Sequence, residues 1–151
     1  MSREIVTSEN KSKHDLSKLN KESHPEIRYN KDKTFVSAHH KGGMVGGSLK
    51  NKELHITHSE LDEKERGKGY GKEMYSSLIN HAHNLGHKVF SDSTVEMPAV
   101  HVYQSLGKKD FDVKRLAGGG ELAADKDLPH GALYGKGANS PVFEITKKLA
   151  V

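Results

Sequence analysis

The chain contains no cysteine. That excludes disulfides, a thiol nucleophile and any thiolate metal site, and it suits a reducing compartment. No apolar run approaches the ~20 residues of a membrane span. The stretch from Met1 to Leu19 is polar and lacks the apolar centre of a signal peptide. Nothing therefore directs the chain away from the cytoplasm, where it is expected, and no membrane partner is expected. Aromatic residues make up 6% and hydrophobic residues 33% of the sequence, both low for a globular domain, so part of the chain is expected to be irregular.

The 151 residues fit one domain that can bury a core without staples. The formal charge of +4 comes from Lys and Arg spread along the chain and diluted by 20 acids. This reads first as a solvated surface. It also admits attraction to a polyanion, whether nucleic acid or cofactor phosphates. No aromatic-basic interleaving and no recognition-helix motif favours nucleic acid.

Residues 1–24 are rich in Ser, Lys, Asn and Glu and read as a flexible arm, with a short helical turn near Asp15 to Leu19. Residues 25–151 read as a single domain. Glu26 to Asn30, Thr34 to His39, Met44 to Leu49 and Glu53 to Leu61 form an antiparallel meander, with turns at His40-Lys41-Gly42-Gly43 and Asn51-Lys52. Alternation in the fourth strand puts Leu54, Ile56 and His58 on one face and His55, Thr57, Ser59 and Leu61 on the other.

The period then changes to that of a helix. Tyr70, Met74, Tyr75, Leu78, Ile79, Ala82 and Leu85 form one stripe, ended by Gly86. Lys88 to Val95 reads as a strand. Pro98 opens a second helix with Ala99, Val102, Tyr103 and Leu106 on one face, and Gly107 ends it. Asp110 to Leu116 and Pro141 to Leu149 read as strands, separated by a long glycine-rich loop over residues 117–140. The result is a mixed α/β domain with a central, mostly antiparallel sheet and two main helices.

The segment Arg66-Gly67-Lys68-Gly69-Tyr70-Gly71-Lys72 joins the meander to the first helix. Helix-opening N–H groups lack internal partners, the helix dipole puts positive charge there, and glycines let an anion approach the backbone. Three cationic side chains add full charges. These are the parts of a phosphate site. Two common patterns fail on register. A Walker loop ending at Gly71-Lys72 would have Arg66 for its first glycine and Glu73 for its Ser or Thr. A G-x-G-x-x-G pattern would have Lys72 or Met74 for its third glycine. A polar helix start that binds nothing would leave the three glycines without a purpose.

Arg66, Gly69 and Gly71 match Arg-x-x-Gly-x-Gly, with a strand carrying Leu61 before it and an amphipathic helix after it. The segment resembles the pyrophosphate motif of the GNAT superfamily of N-acetyltransferases. Ala99 and Tyr103 in "AVHVYQSLG" are similar to a second family segment, A-x-x-x-Y-x-x-x-G. The resemblance covers about Thr34 to Val113, with Pro141 to Leu149 as a last strand. Length and composition also resemble acetyltransferase-like proteins carried by bacteriophages.

The resemblance implies a GNAT-like acyl-CoA N-acyltransferase fold and direct transfer from acetyl-CoA to an amine acceptor, a protein or small molecule that the sequence leaves unidentified. Leu61, Arg66, Gly67, Lys68, Gly69, Tyr70, Gly71 and Lys72 would hold the cofactor. Backbone N–H groups near Leu61 would receive the acyl carbonyl. Tyr103 would be the acid and His55 the base. His58 and Glu60 lie on the other face by alternation, which a bulge would change. The family normally walls its acceptor site with two helices between its first two strands. Little room precedes Thr34, so a reduced N-terminal helical part is expected. A non-catalytic GNAT-fold protein that binds CoA, nucleic acid or a protein partner is the alternative. The histidines His39-His40, His81, His83 and His87 lack the spacing of a metal motif, so no metal is expected.

Overall fold

A computed structural model describes residues 24–65, 67–116, 132–137 and 139–148. The expected arm and its helical turn, except for His24, and residues 117–131 of the glycine-rich loop lie outside the described residues, as does Arg66.

Four strands form the meander: β1 (Glu26–Tyr29), β2 (Phe35–His40), β3 (Gly43–Lys50) and β4 (Glu53–Glu60). A single 3-10 turn at Glu63–Glu65 leads towards helix α1 (Tyr70–Asn84). The chain continues through β5 (Lys88–Ser91), β6 (Thr94–Glu96), helix α2 (Met97–Gly107), β7 (Phe111–Arg115), β8 (Ala132–Tyr134) and β9 (Phe143–Lys147). Seven strands join in the order β1-β2-β3-β4-β5-β9-β7, while β6 and β8 form a separate pair. The β4–β5 pair is parallel and the others are antiparallel. The mixed α/β fold with a mostly antiparallel sheet and two helices is thus as expected.

Among the described residues both helices pack on one face of the large sheet. Met74, Tyr75, Leu78, Ile79 and Ala82 of α1 are buried against Val36, Ala38, Val45, Leu54 and Ile56 of the meander. Val100, Tyr103 and Leu106 of α2 complete the core with Phe111, Phe143 and Ile145. Each buried Val, Leu, Ile, Met or Phe among them contributes about 1.5–3 kcal/mol. Helix α1 ends as its stripe suggested. Gly86 has φ +80, its N–H reaches His83 O at 3.0 Å, and the His87 N–H reaches Ala82 O at 2.9 Å. This paired closure satisfies carbonyls that the helix end would leave open.

The structure corrects the sequence reading in three places. The strand expected at Lys88 to Val95 is two strands in two sheets. Asp92 Oδ1 accepts the Ser93 N–H at 2.7 Å and turns the chain between them. The glycine-rich stretch contains strand β8, whose Ala132–Tyr134 pairs with Thr94–Glu96. The faces of β4 also change halfway along. Gly46 pairs with His58 but Gly47 pairs with Ile56, so Thr57 is an extra residue. This bulge moves Ser59 to the helix side, opposite Val45, and puts His55, His58 and Glu60 together on the face away from the two described helices.

Glycine makes the bulge possible. A Cβ on Gly47 would lie 2.1 Å from His55 O, so only a residue without one fits opposite the extra residue.

Candidate active site

The turn into α1 is built from backbone. Gly67 and Gly69 have φ of +81 and +85, a region costly for other residues. Gly69 is the N-cap residue of α1 and its carbonyl accepts the Glu73 N–H at 3.0 Å. Among the described residues no side chain caps the helix, and its first N–H groups have no partner within the helix itself. A Cβ at Gly67, Gly69 or Gly71 would meet nothing within 4 Å. Packing among the described residues does not require these glycines, and those residues leave the space beside them clear. An anion at this helix start fits the donors present. Lys68 is held loosely, with Nζ 3.5 Å from Glu65, and Lys72 stands on the first turn of α1.

Glu73, also in that first turn, points back to the sheet. Its Oε2 lies 3.2 Å from His40 Nε2 at the end of β2. The His40 ring is buried and meets the Tyr70 ring edge-on at 5.1 Å. The meander thereby fixes the direction in which the helix start points. The sequence reading missed this contact because residues 40 and 73 share no motif.

Strands β4 and β5 separate beside the turn. Their pairing stops at Ile56↔Ser91, whereas β4 continues to Glu60. The separation therefore begins before Leu61, the position that the sequence reading emphasised. Leu61 packs partly buried against the core. Ser91 holds the other side of the opening. Its fully buried Oγ accepts the N–H groups of Val142 at 3.1 Å and Phe143 at 2.9 Å. The side chain thus acts as a strand acceptor where β5 leaves β9.

Two phenols stand on the core side of the opening. Tyr103 is 2% exposed and packs against Tyr75 and Phe143, with centroids 5.3 and 5.2 Å away. Burial, then the nearby Tyr75 and Asp92, hold its pKa well above the usual 10.0, so the phenol stays protonated. Tyr75 is also pushed up by burial, partly offset by the nearby Ser59 hydroxyl. Tyr75 had read as one residue of an apolar stripe, and no sequence signal separates it from its core neighbours.

His55 is on the opposite face. Its Nε2 lies 3.1 Å from Glu53 Oε1 and its ring stacks on Phe90 at 5.1 Å. It pairs with Phe90 across β4 and β5, before the strands part. His58 lies beyond that point. Its Nδ1 is 2.8 Å from Thr57 Oγ1 and its ring meets Phe35 edge-on at 5.5 Å. Tyr103 and His55 are therefore on opposite sides of the sheet, with the opening between β4 and β5 as the route from one side to the other.

Among the described residues, no helix is long and apolar enough to cross a membrane. The model of the acetyltransferase (GNAT) family matches residues 6–108. That span begins within the segment read as an arm. No match is found among curated proteins. Several solved structures are similar in shape at low identity. Nourseothricin acetyltransferase is 19% identical, with 79% of this chain and 68% of that one covered and a TM-score of 0.47. The ribosomal-protein-S18-alanine N-acetyltransferase of Escherichia coli is 12% identical, with coverage of 89% and 78% and a TM-score of 0.49. An acetyltransferase of Bacillus subtilis in complex with CoA is 15% identical, with coverage of 97% and 95% and a TM-score of 0.48.

Proposed function

The chain belongs to the acetyltransferase (GNAT) family, and from that premise we propose that it transfers an acetyl group directly from acetyl-CoA to an amine acceptor. One observation carries the reading. An uncapped helix start behind glycines with no packing role opens beside the point where β4 and β5 part.

In this reading residues 66–72 hold the pyrophosphate of acetyl-CoA through the N–H groups of the turn, with Arg66, Lys68 and Lys72 adding charge. Acetyl-CoA supplies the acyl group and a thiolate leaving group. The β4 backbone past Ile56, where the pairing with β5 has ended, receives the acyl carbonyl, and N–H donors there stabilise the charge that develops on oxygen. Tyr103 donates the proton taken up by the departing sulfur; its raised pKa means that the phenol carries that proton at neutral pH.

The amine must lose a proton to attack. His55 was the base expected from the sequence. The bulge makes His58 better placed, because it lies past the end of the β4–β5 pairing and on the face away from the two described helices. We assign the base role to His58 and a supporting place beside it to His55. The domain is taken to run from residue 25 onward, with residues 1–24 as an arm, and to act in the cytoplasm.

The burial of Tyr103 favours a second reading, a CoA-binding protein without transfer activity. Thiol release separates the two. The chain has no cysteine, so any thiol that appears on mixing it with acetyl-CoA and a panel of amines is CoA itself. Amine-dependent thiol release supports transfer. Its absence across the panel, from protein that binds acetyl-CoA, leaves only the binding reading.

A further inference from the structure

Glu26, His39, Met44 and Glu60 face one another directly across four strands. Glu26 pairs with His39, His39 with Met44, and Met44 with Glu60. Directly opposed residues share a face, and here it is the one that neither described helix covers. All four line a depression of about 650 Å³, together with Arg28 and Lys41.

The charges along this row are unevenly spent. Arg28 Nε lies 2.9 Å from Glu26 Oε2, so each neutralises the other. His39 is held at 2.8 Å by Ser37 Oγ. Burial, then the Arg28 charge, lowers its pKa, so it is neutral at pH 7. Met44 is a flexible apolar side chain. Among the described residues, the ion pairs engage Glu26, Glu53, Glu65 and Glu73 but leave out Glu60. The row therefore runs from an ion pair, through a neutral ring and a thioether, to one carboxylate outside the ion pairs of the described residues. That carboxylate is two residues from His58, roughly 7 Å along the strand.

We propose that this row is the acceptor subsite, and that it takes an aliphatic primary amine of lysine type. Its ammonium sits at Glu60, its alkyl stem lies along Met44, and its polar remainder lies at His39 and the Arg28–Glu26 pair. The proposal rests on the acetyltransferase reading for what then happens to the amine. Other ligand chemistries fit less well. A single metal ion cannot reach both carboxylates, whose strands are about 14 Å apart. An anion would find Arg28 already paired and would meet Lys41 only beside the Glu60 carboxylate. A wholly apolar ligand would leave the Glu60 charge stranded. An amine delivered by Glu60 passes to His58 on the same face, next to the opening in the sheet.

The test uses the full chain with methionine methyl groups labelled with carbon-13, and n-butylamine as probe at pH 7. Met74 and Met97 are buried and serve as internal controls. The Met44 methyl signal should shift saturably while those two stay in place, and 1-butanol should not reproduce the shift. Glu60→Gln should weaken n-butylamine about tenfold, the effect of losing one charge-assisted contact. Glu96→Gln, an exposed carboxylate on β6, should leave affinity unchanged. An unmoved Met44, an equal response to 1-butanol, or wild-type affinity in Glu60→Gln overturns the subsite.

Free lysine and the peptide Gly-Lys-Gly identify the source of the amine. The tighter binder names it, and a Met44 signal silent to both overturns the proposal. Calorimetry with acetyl-CoA on the same sample keeps the two readings apart. Acetyl-CoA binding without a Met44 response sinks the subsite alone. A Met44 response without acetyl-CoA binding sinks the acetyltransferase reading alone.

Discussion

The ring of Tyr103 stands edge-on to that of Tyr75, with centroids 5.3 Å apart and planes at 79°. One phenol comes from each helix, and both lie on the core side of the opening between β4 and β5. Tyr103 is enclosed, while Tyr75 reaches Ser59 on β4.

Replacing Tyr103 by Phe keeps the ring and removes the proton. Transfer should fall by roughly a hundredfold, the usual scale for losing a positioned acid, with acetyl-CoA affinity within about twofold of wild type. Because burial raises the phenol's pKa, the wild-type rate should show no loss attributable to Tyr103 ionisation below pH 10.0. Steady-state rates from pH 6 to 10, beside calorimetric affinities for both proteins, check this.

The bulge distinguishes two histidines that alternation alone would have put on opposite faces. His58→Gln should lower kcat at least tenfold at pH 7, and part of the loss should return as pH rises and more amine is deprotonated. His55→Gln should cost much less, because His55 is held by Glu53 and stacked on Phe90. Rate profiles of the two variants over the same pH range decide between them.

Ser91→Ala removes the acceptor for the Phe143 N–H and one of two acceptors for the Val142 N–H, whose other partner is Asp92 O at 3.0 Å. One buried donor left without a partner costs about 1–3 kcal/mol. Urea denaturation should show that loss with an unchanged slope. Ser91→Thr, which keeps the hydroxyl, should recover part of it.

Tyr29 OH and His81 Nε2 are 2.5 Å apart and tie edge strand β1 to α1. Burial, then the nearby His87, lowers the pKa of His81 below the usual 6.5. The fold thus favours the neutral ring, while the unfolded chain takes up a proton first. The stability from this group is complete above pH 6.5 and is lost as pH falls through the folded pKa. Thermal melts should drop as pH falls below 6.5, and the drop should be shallower in His81→Asn. Equal slopes would contradict the assignment.

Much of the fold was legible. The stripe from Met74 to Ala82 and Gly86 after it gave α1 nearly to the residue, because period and cap are local signals. The meander was legible from Asn51-Lys52, which turns at positive φ, and from the alternation of Glu53 to Ile56. The bulge at Thr57 was not, although Gly46-Gly47 inside a strand was its signal. Its consequence is long-range, since a missing Cβ on β3 decides which histidine on β4 faces the opening. Strand β8 and the His40–Glu73 contact also depend on residues far apart in sequence. In the site, the glycine turn was visible as local chemistry. Tyr75, Ser91 and the Glu26–His39–Met44–Glu60 row acquire meaning only from the register.

The most direct test of the central claim is calorimetric titration of acetyl-CoA into the wild type and Gly69→Ala. In the free protein a Cβ at Gly69 meets nothing within 4 Å, so the variant should lose only about 1–2 kcal/mol of stability, from its φ of +85. The wild type should bind one acetyl-CoA per chain, and the variant should bind at least tenfold more weakly while remaining folded. No heat from folded, cofactor-free wild type at millimolar acetyl-CoA would contradict the claim, as would equal affinity in the two proteins.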